Sequence, residues 1–161
     1  MTEQRPQPVY TGMSKHLDVD GGYAIWVPSD WHRTDLADGR TGVIYGPYPG
    51  DLVTCFYIER HKLDVPVRPK DFEILQKGFL EGINQLPEVE ILSHDESLGE
   101  AGLVLLQARY TFVEDGVRRL RWSRVSYWGN GQLTMVAQGS TEEEFRYWEP
   151  MFYNIMMTME L

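Results

Sequence analysis

The sequence predicts an α+β domain in which a mostly antiparallel sheet packs with two amphipathic helices. Segments rich in β-branched and aromatic residues alternate with Gly, Pro and Asn turns over much of the chain, as in antiparallel sheets. Two further stretches, after Pro69 and after Thr141, space their apolar residues three and four positions apart, which marks one face of a helix. These two patterns together predict the fold class.

The composition indicates one ordinary globular domain. The chain has 161 residues, of which 42% are hydrophobic and 24% charged, so it is expected to bury a core without disulfides or a bound metal. Its 24 acidic and 15 basic side chains give a formal net charge of -9, which opposes general binding to the phosphate backbone of nucleic acids. The single Cys55 lies in an apolar run and is expected to be a buried, unreactive thiol.

The start of the chain predicts an arm that precedes the domain. Residues 1–16 show no hydrophobic period and contain two prolines, so we expect a flexible arm there and a single domain over residues 17–161. No stretch approaches the roughly 20 apolar residues of a membrane span, and the first ten residues do not resemble a secretory signal. The sequence therefore predicts a cytoplasmic protein without membrane contact, and it leaves the oligomeric state open.

The first half of the domain predicts three strands. Residues 23–27 are β-prone and end at a proline, after which Trp31 is expected to be a buried anchor. A polar stretch over residues 32–40 leads to a strand at residues 42–45, and a turn rich in Pro and Gly precedes a longer strand at residues 52–60. The last two strands are expected to form a hairpin.

The first predicted helix begins near Pro69 and ends before Pro87. Its two interior glycines, Gly78 and Gly82, each cost about 1 kcal/mol relative to alanine, and we expect that they let the helix approach the sheet closely. Four further strands in a meander are predicted near residues 89–93, 103–113, 117–128 and 132–138.

The second predicted helix closes the chain. Thr141 followed by Glu144 is a capping-box pattern, which indicates where the helix begins. Pro150 lies inside the helical pattern and lacks the N–H that would bond to the carbonyl of Arg146, so we expect it to kink or divide the helix.

The order of these elements resembles the PsbP-like superfamily. The resemblance covers the chain from about Leu17, and its most characteristic part is the strand Gly-Gly-Tyr-Ala-Ile-Trp-Val-Pro followed by Ser-Asp-Trp at residues 21–31. That superfamily includes extrinsic subunits of photosystem II, the Ran-binding Mog protein and many small bacterial proteins of unknown role. The resemblance implies a bacterial member, an αβα sandwich, and an accessory or binding role instead of catalysis.

The sequence shows no pattern of a catalytic or metal site. The four histidines are scattered without the short spacings of metal ligands. Ser93, His94 and Asp95 are adjacent, but neighbours in a strand point to opposite faces, so the serine and histidine are not expected to meet. No glycine-rich loop has the context of a phosphate-binding loop. We therefore expect no enzymatic activity, no cofactor and no metal.

Arginines are concentrated in the meander, where five of the eleven lie between Arg109 and Arg124. Two loop lengths are possible in the hairpin that contains them. A two-residue loop would place Arg119 opposite Phe112 and Arg121 opposite Tyr110, which mixes charged and aromatic residues on each face.

A three-residue loop would instead pair Arg109 with Arg121 and Thr111 with Arg119. We prefer this register, because it keeps one face apolar and a one-residue slip would lose that pattern. The next turn, at Asn130 and Gly131, then continues the polar face. The resulting candidate binding residues are Arg109, Arg119, Arg121, Ser123 and Gln138, with Ser123 opposite Gln138.

Two opposed arginines favour an anion between them, so the sequence predicts a binding module for an acidic protein partner or a small anion. Two other interpretations remain open. Glu88 or Glu90 supplies the counter-charge internally, or the arginines are simply solvated. The alternative function is a small-molecule pocket between the sheet and the second helix, lined by Trp122, Trp128, Trp148 and Phe152.

Overall fold

The computed structural model describes residues 5–9, 11–99 and 101–160. A short 3-10 turn, Pro69–Asp71, precedes the first helix. The two helices are α1 (Phe72–Asn84) and α2 (Glu142–Met157). The strands are β1 (Met13–Asp18), β2 (Tyr23–Pro28), β3 (His32–Asp35), β4 (Gly42–Gly46), β5 (Cys55–Lys62), β6 (Glu90–Leu98), β7 (Val104–Glu114), β8 (Val117–Trp128) and β9 (Gly131–Gly139).

Seven strands form one sheet in the order β3-β4-β5-β9-β8-β7-β6, and β1 pairs with β2 in a separate hairpin. All the pairs are antiparallel. The sheet is covered on both faces: Ile83 of α1 packs on Ala108, Tyr110 and Phe112, and α2 packs on the other side with the hairpin β1–β2. The predicted α+β class with an antiparallel sheet is thereby confirmed.

Two elements at the start of the chain differ from the prediction. Strand β1 begins at Met13, so residues 13–16 of the segment assigned to the arm pair with β2. Strand β3 occupies part of the polar stretch that was expected to be a connection. All four of its residues are exposed at the edge of the sheet, and such a strand has no apolar alternation that would reveal it in the sequence.

Helix α2 begins as predicted and continues without a break. Thr141 is the N-cap, and its Oγ1 accepts a hydrogen bond from the backbone N–H of Glu144 at 3.1 Å. The expected division at Pro150 is wrong, because the helix runs from Glu142 to Met157. Pro150 is on the exposed side, where a carbonyl that loses its helical partner is able to bond to water.

The glycines of α1 do not have the expected packing role. Gly78 and Gly82 are both exposed, and a Cβ placed on either would meet no atom within 4 Å. The helix instead packs through larger side chains, of which Ile83 is buried and Phe79 is partly buried, and Leu86 just after the helix packs on the same cluster. The prediction that these glycines bring the helix close to the sheet is therefore wrong.

Candidate functional site

The hairpin β7–β8 closes with a two-residue loop, Asp115 and Gly116, so the preferred three-residue loop is wrong. Both loop residues have positive φ, 52° and 75°, as a type I′ turn requires. Arg119 lies opposite Phe112 in this register. Neither face of the hairpin is purely apolar, because each face packs against a helix and holds aromatic and charged residues together.

The observed register separates the five predicted binding residues. Arg109 lies opposite Trp122 and faces α2, whereas Arg121 lies opposite Tyr110 and faces α1. Gln138 is opposite Arg121, and Ser123 is opposite Val136 and not Gln138 as predicted, because the next loop is Gly129 and Asn130. The residues that share the α1 face are Arg119, Arg121, Ser123 and Gln138.

Arg109 is paired within the protein. Its Nη1 donates to Oε1 of Glu149 on α2, and its guanidinium carbon lies 4.4 Å from the centre of the Trp122 ring and 5.9 Å from that of Phe145. The internal counter-charge that the sequence left open is therefore present, but it comes from α2 and not from Glu88 or Glu90. Arg109 is consequently removed from the candidate site.

Three of the remaining residues are fixed inside the protein. Arg119 is buried, donates from Nη1 to the carbonyl of Ser140 at 3.0 Å, and lies 3.2 Å from a carboxylate oxygen of Glu114. Ser123 is buried with its hydroxyl 2.7 Å from that of Tyr110. Gln138 is buried and donates from Nε2 to the carbonyl of Val53 at 2.8 Å. These three side chains are therefore buried and hydrogen-bonded on the α1 face, and none of them is available to a partner.

Arg121 lies on the same face as these three residues and is only partly buried. Oε1 of Gln138 accepts hydrogen bonds from its Nε at 2.9 Å and its Nη2 at 2.6 Å. The guanidinium carbon lies 4.4 Å from the centre of the Phe112 ring, a distance typical of a cation–π contact. Arg121 is partly exposed and makes no ion pair with any of the residues that the structure describes.

The charge of Arg121 affects the pKa values of two residues in β5, Cys55 and Tyr57. Burial raises the pKa of Cys55 to about 12, and the nearby guanidinium only partly opposes this shift. Burial likewise raises the pKa of Tyr57, again with Arg121 acting in the opposite direction. Both side chains therefore stay protonated near neutral pH, which agrees with the unreactive thiol predicted for Cys55.

The aromatic residues predicted to line a pocket belong to or pack against one hydrophobic cluster, but they do not line a shared pocket. Trp122 lines a groove of about 290 Å³ between the sheet and α2. Trp148 and Phe152 pack edge-on against Trp31 in the core, and Trp128 lines a different groove beside the β8–β9 turn. The side chains that share the groove with Trp122 include Gln107, Arg109, Tyr153 and Met157.

The residues considered for catalysis are placed as expected for structural side chains. Ser93 pairs with Arg109 and His94 with Ala108 in successive positions of β6, so the serine and histidine point to opposite faces. His94 Nδ1 lies 2.6 Å from a carboxylate oxygen of Glu96. Over residues 5–9, 11–99 and 101–160, no three His, Cys, Asp or Glu side chains group as a metal site, and no helix is long and apolar enough to cross a membrane.

A double-mutant cycle tests the separation of the two arginines. We expect Arg109→Ala and Arg121→Ala to change the free energy of unfolding additively, with a coupling below about 0.5 kcal/mol, because their side chains share no partner. Urea denaturation of the wild type, both single variants and the double variant measures this coupling. Arg109→Ala combined with Glu149→Ala is the positive control, since that ion pair is removed by either change. A coupling of about 1 kcal/mol or more between Arg109 and Arg121 would contradict the observed register.

Known proteins resemble this chain in structure and not in sequence. No protein-family model matches the sequence, and no curated protein matches it. The cyanobacterial PsbP (CyanoP) of Synechocystis sp. PCC 6803 has a TM-score of 0.64 at 14% identity, covering 98% of this chain and 97% of that one. LpqN of Mycobacterium tuberculosis, which is involved in cell envelope biogenesis, has a TM-score of 0.60 at 15% identity, covering 94% and 87%.

The Ran-binding protein Mog1p of Saccharomyces cerevisiae has a TM-score of 0.54 at 7% identity, covering 92% of this chain and 95% of that one. At identities this low, the structural similarity establishes the fold alone. The chain therefore has the PsbP-like fold, which confirms the fold predicted from the resemblance.

Proposed function

We propose that this chain is a non-enzymatic binding or accessory module of the cytoplasm that recognises a carboxylate-bearing segment of a protein partner through Arg121. The observation that carries the proposal is Arg121, a partly exposed residue whose guanidinium is fixed by two hydrogen bonds to Gln138 and has no carboxylate partner among the described residues. Arginine is the side chain best suited to carboxylates at interfaces, because its planar donors match them in pairs.

The surroundings of Arg121 favour binding because they hold it in place beforehand. Gln138 uses its oxygen on Arg121 and its amide nitrogen on the carbonyl of Val53, so it cannot rotate without losing both contacts. Stacking on Phe112 restricts the guanidinium further. Nη1 makes no hydrogen bond to any residue that the structure describes. A side chain ordered in the free protein loses less entropy when a partner binds.

The net charge limits the kind of partner. A formal charge of -9 repels a strongly acidic protein at long range, so recognition would be local and would involve one carboxylate or a short acidic segment. The similar fold of Mog1p, a Ran-binding protein, supports a protein partner in preference to a small anion. Arg119 adds positive charge beneath the surface but is itself buried and paired.

The change Arg121→Gln tests the proposal. We expect it to weaken the partner's affinity about tenfold or more, since a hydrogen bond to a charged group contributes about 1.5–3 kcal/mol. The partner is first isolated on the immobilised wild-type chain and identified, and its affinity for each purified variant is then measured by titration calorimetry. Arg68→Gln is the matched control, because Arg68 is exposed and forms no ion pair among the described residues. Equal affinities of both variants and the wild type would refute a role for Arg121.

A further inference from the structure

An open, partly polar cavity of about 290 Å³ lies between the hairpin β1–β2 and strands β3–β5 of the large sheet. The strand partners Arg33 and Tyr45 are on the α2 face, opposite to Arg121. The side chains that give the cavity its chemistry are His16, Asp18, Asp20, Tyr23, Arg33 and Arg60.

Tyr23 gives the first indication of a ligand. Its side chain is almost fully buried, with 2% of the residue exposed, and it lines the cavity. Its hydroxyl makes no hydrogen bond to any of the residues that the structure describes. The hydroxyl is not one of the fully buried side-chain atoms that lack a partner in the described residues, which are Nε of Arg119 and Nε of Arg124. It is therefore reached from the cavity and is able to donate a hydrogen bond to water or to a ligand there. Burial raises the pKa of Tyr23 to about 12, with a smaller contribution from Asp18, so the hydroxyl remains a donor at neutral pH.

Arg60 gives the second indication. Asp18 accepts a hydrogen bond from Nε of Arg60 at 2.8 Å through Oδ2, and from the backbone N–H of Gly21 at 2.9 Å through Oδ1. Gly21 also packs closely on this pair, since a Cβ there would lie 2.5 Å from Cδ of Arg60. Arg60 is therefore fixed by its Nε edge. Its two terminal amino groups make no hydrogen bond within the described part of the chain.

Two further groups face the same cavity. Arg33 is paired only with Asp35 among the described residues, at 3.2 Å on the exposed edge strand. His16 contacts the hydroxyl of Tyr45 through Nδ1 at 3.1 Å. Burial and the charge of Arg33 lower the pKa of His16, so its ring is neutral at pH 7. The neutral ring of His16 therefore adds no charge to the cavity.

We infer that this cavity binds a small oxyanion, a carboxylate or a phosphate, between the Tyr23 hydroxyl and the guanidinium groups of Arg60 and Arg33. Asp18 and Asp35 each occupy one edge of an arginine and orient it, which leaves the other donors of Arg60 and Arg33 without a partner among the described residues. The volume is at the lower limit of small-molecule sites, which suits a ligand as small as phosphate or acetate. This site is independent of the contact proposed at Arg121.

The test compares wild type with Tyr23→Phe, which removes one hydroxyl and keeps the ring. Titration calorimetry with inorganic phosphate, and separately with acetate, is performed at constant ionic strength. We expect saturable binding to the wild type and a loss of about tenfold or more in affinity for Tyr23→Phe. Whichever probe binds more tightly identifies the oxyanion class. Tyr153→Phe is the control, because Tyr153 is half exposed on α2 and remote from the cavity.

Stability provides a second measurement. Without added anion, Tyr23→Phe should leave the thermal midpoint unchanged or slightly raised, because a hydroxyl without a protein partner is removed. Should the variant not fold, phosphate-induced shifts of the Gly21 and Tyr23 amide signals in wild-type NMR spectra take its place. The inference is overturned if neither probe binds saturably, if Tyr23→Phe binds as tightly as the wild type, or if the amide shifts are absent.

Discussion

Replacing Trp31 with alanine is expected to lower the free energy of unfolding by about 3–5 kcal/mol. Trp31 follows β2 and is 7% exposed. Its ring meets Trp148 edge-on at 5.7 Å between centres and Phe152 at 5.8 Å, so its removal would leave a cavity between the hairpin β1–β2 and α2. Equilibrium unfolding in urea measures the loss.

The matched control is Trp26→Ala. Trp26 belongs to β2 but is 37% exposed, and its aromatic contact is with the ammonium of Lys15 at 5.9 Å. We expect a loss below about 1 kcal/mol for this change. Similar losses for the two tryptophans would show that Trp31 does not anchor the core.

The second large effect is expected for Gly139→Ala, at the end of β9. A Cβ there would lie 2.3 Å from the backbone nitrogen of Phe145 and 2.6 Å from the carbonyl oxygen of Thr141. These are backbone atoms in the first turn of α2, so no side-chain rotation relieves the overlap. We expect a destabilisation of about 3 kcal/mol or more, measured as a shift of the urea midpoint.

Gly78→Ala on α1 is the matched substitution with the opposite sign. Gly78 is exposed inside a helix, and its Cβ would meet nothing within 4 Å. We expect a stabilisation of about 0.5–1 kcal/mol, because alanine restricts the unfolded chain and favours the helix. If Gly139→Ala does not lower the stability, then the first turn of α2 does not pack against Gly139 as closely as the structure shows.

The elements predicted most accurately from the sequence are those with local causes. Thr141 caps α2 because its side chain and the Glu144 amide are three residues apart, a relation that the sequence shows directly. Strand β2 was visible because its aromatic and β-branched residues end at Pro28. Strand β8 was predicted over its full range, since turn residues stand at both ends.

The candidate site was predicted poorly because it depends on distant residues. One residue of loop length decides whether Arg109 and Arg121 lie on the same face of the sheet. The preference for the three-residue loop depends on one face being apolar, whereas both faces of this hairpin carry aromatic and charged residues together. The apolar face of α2, which includes Phe145 and packs near Trp122, is recognisable in the sequence, but the position of Glu149 over Arg109 is not. Gly21 and Arg60 meet across 39 positions of sequence, and no local pattern records such a contact.

The pairing of β5 with β9 has a consequence for how the protein is made. Strands β6 to β9 are joined by short turns and each pairs with the next, whereas β5 must wait for β9, near the end of the chain. On the ribosome, Phe56 and Ile58 of β5 emerge long before the strand that completes their sheet, so an apolar strand edge is exposed during synthesis. A nascent chain halted before Gly131 therefore presents a ready template for intermolecular strand pairing, and β9 covers this edge once it has been synthesised.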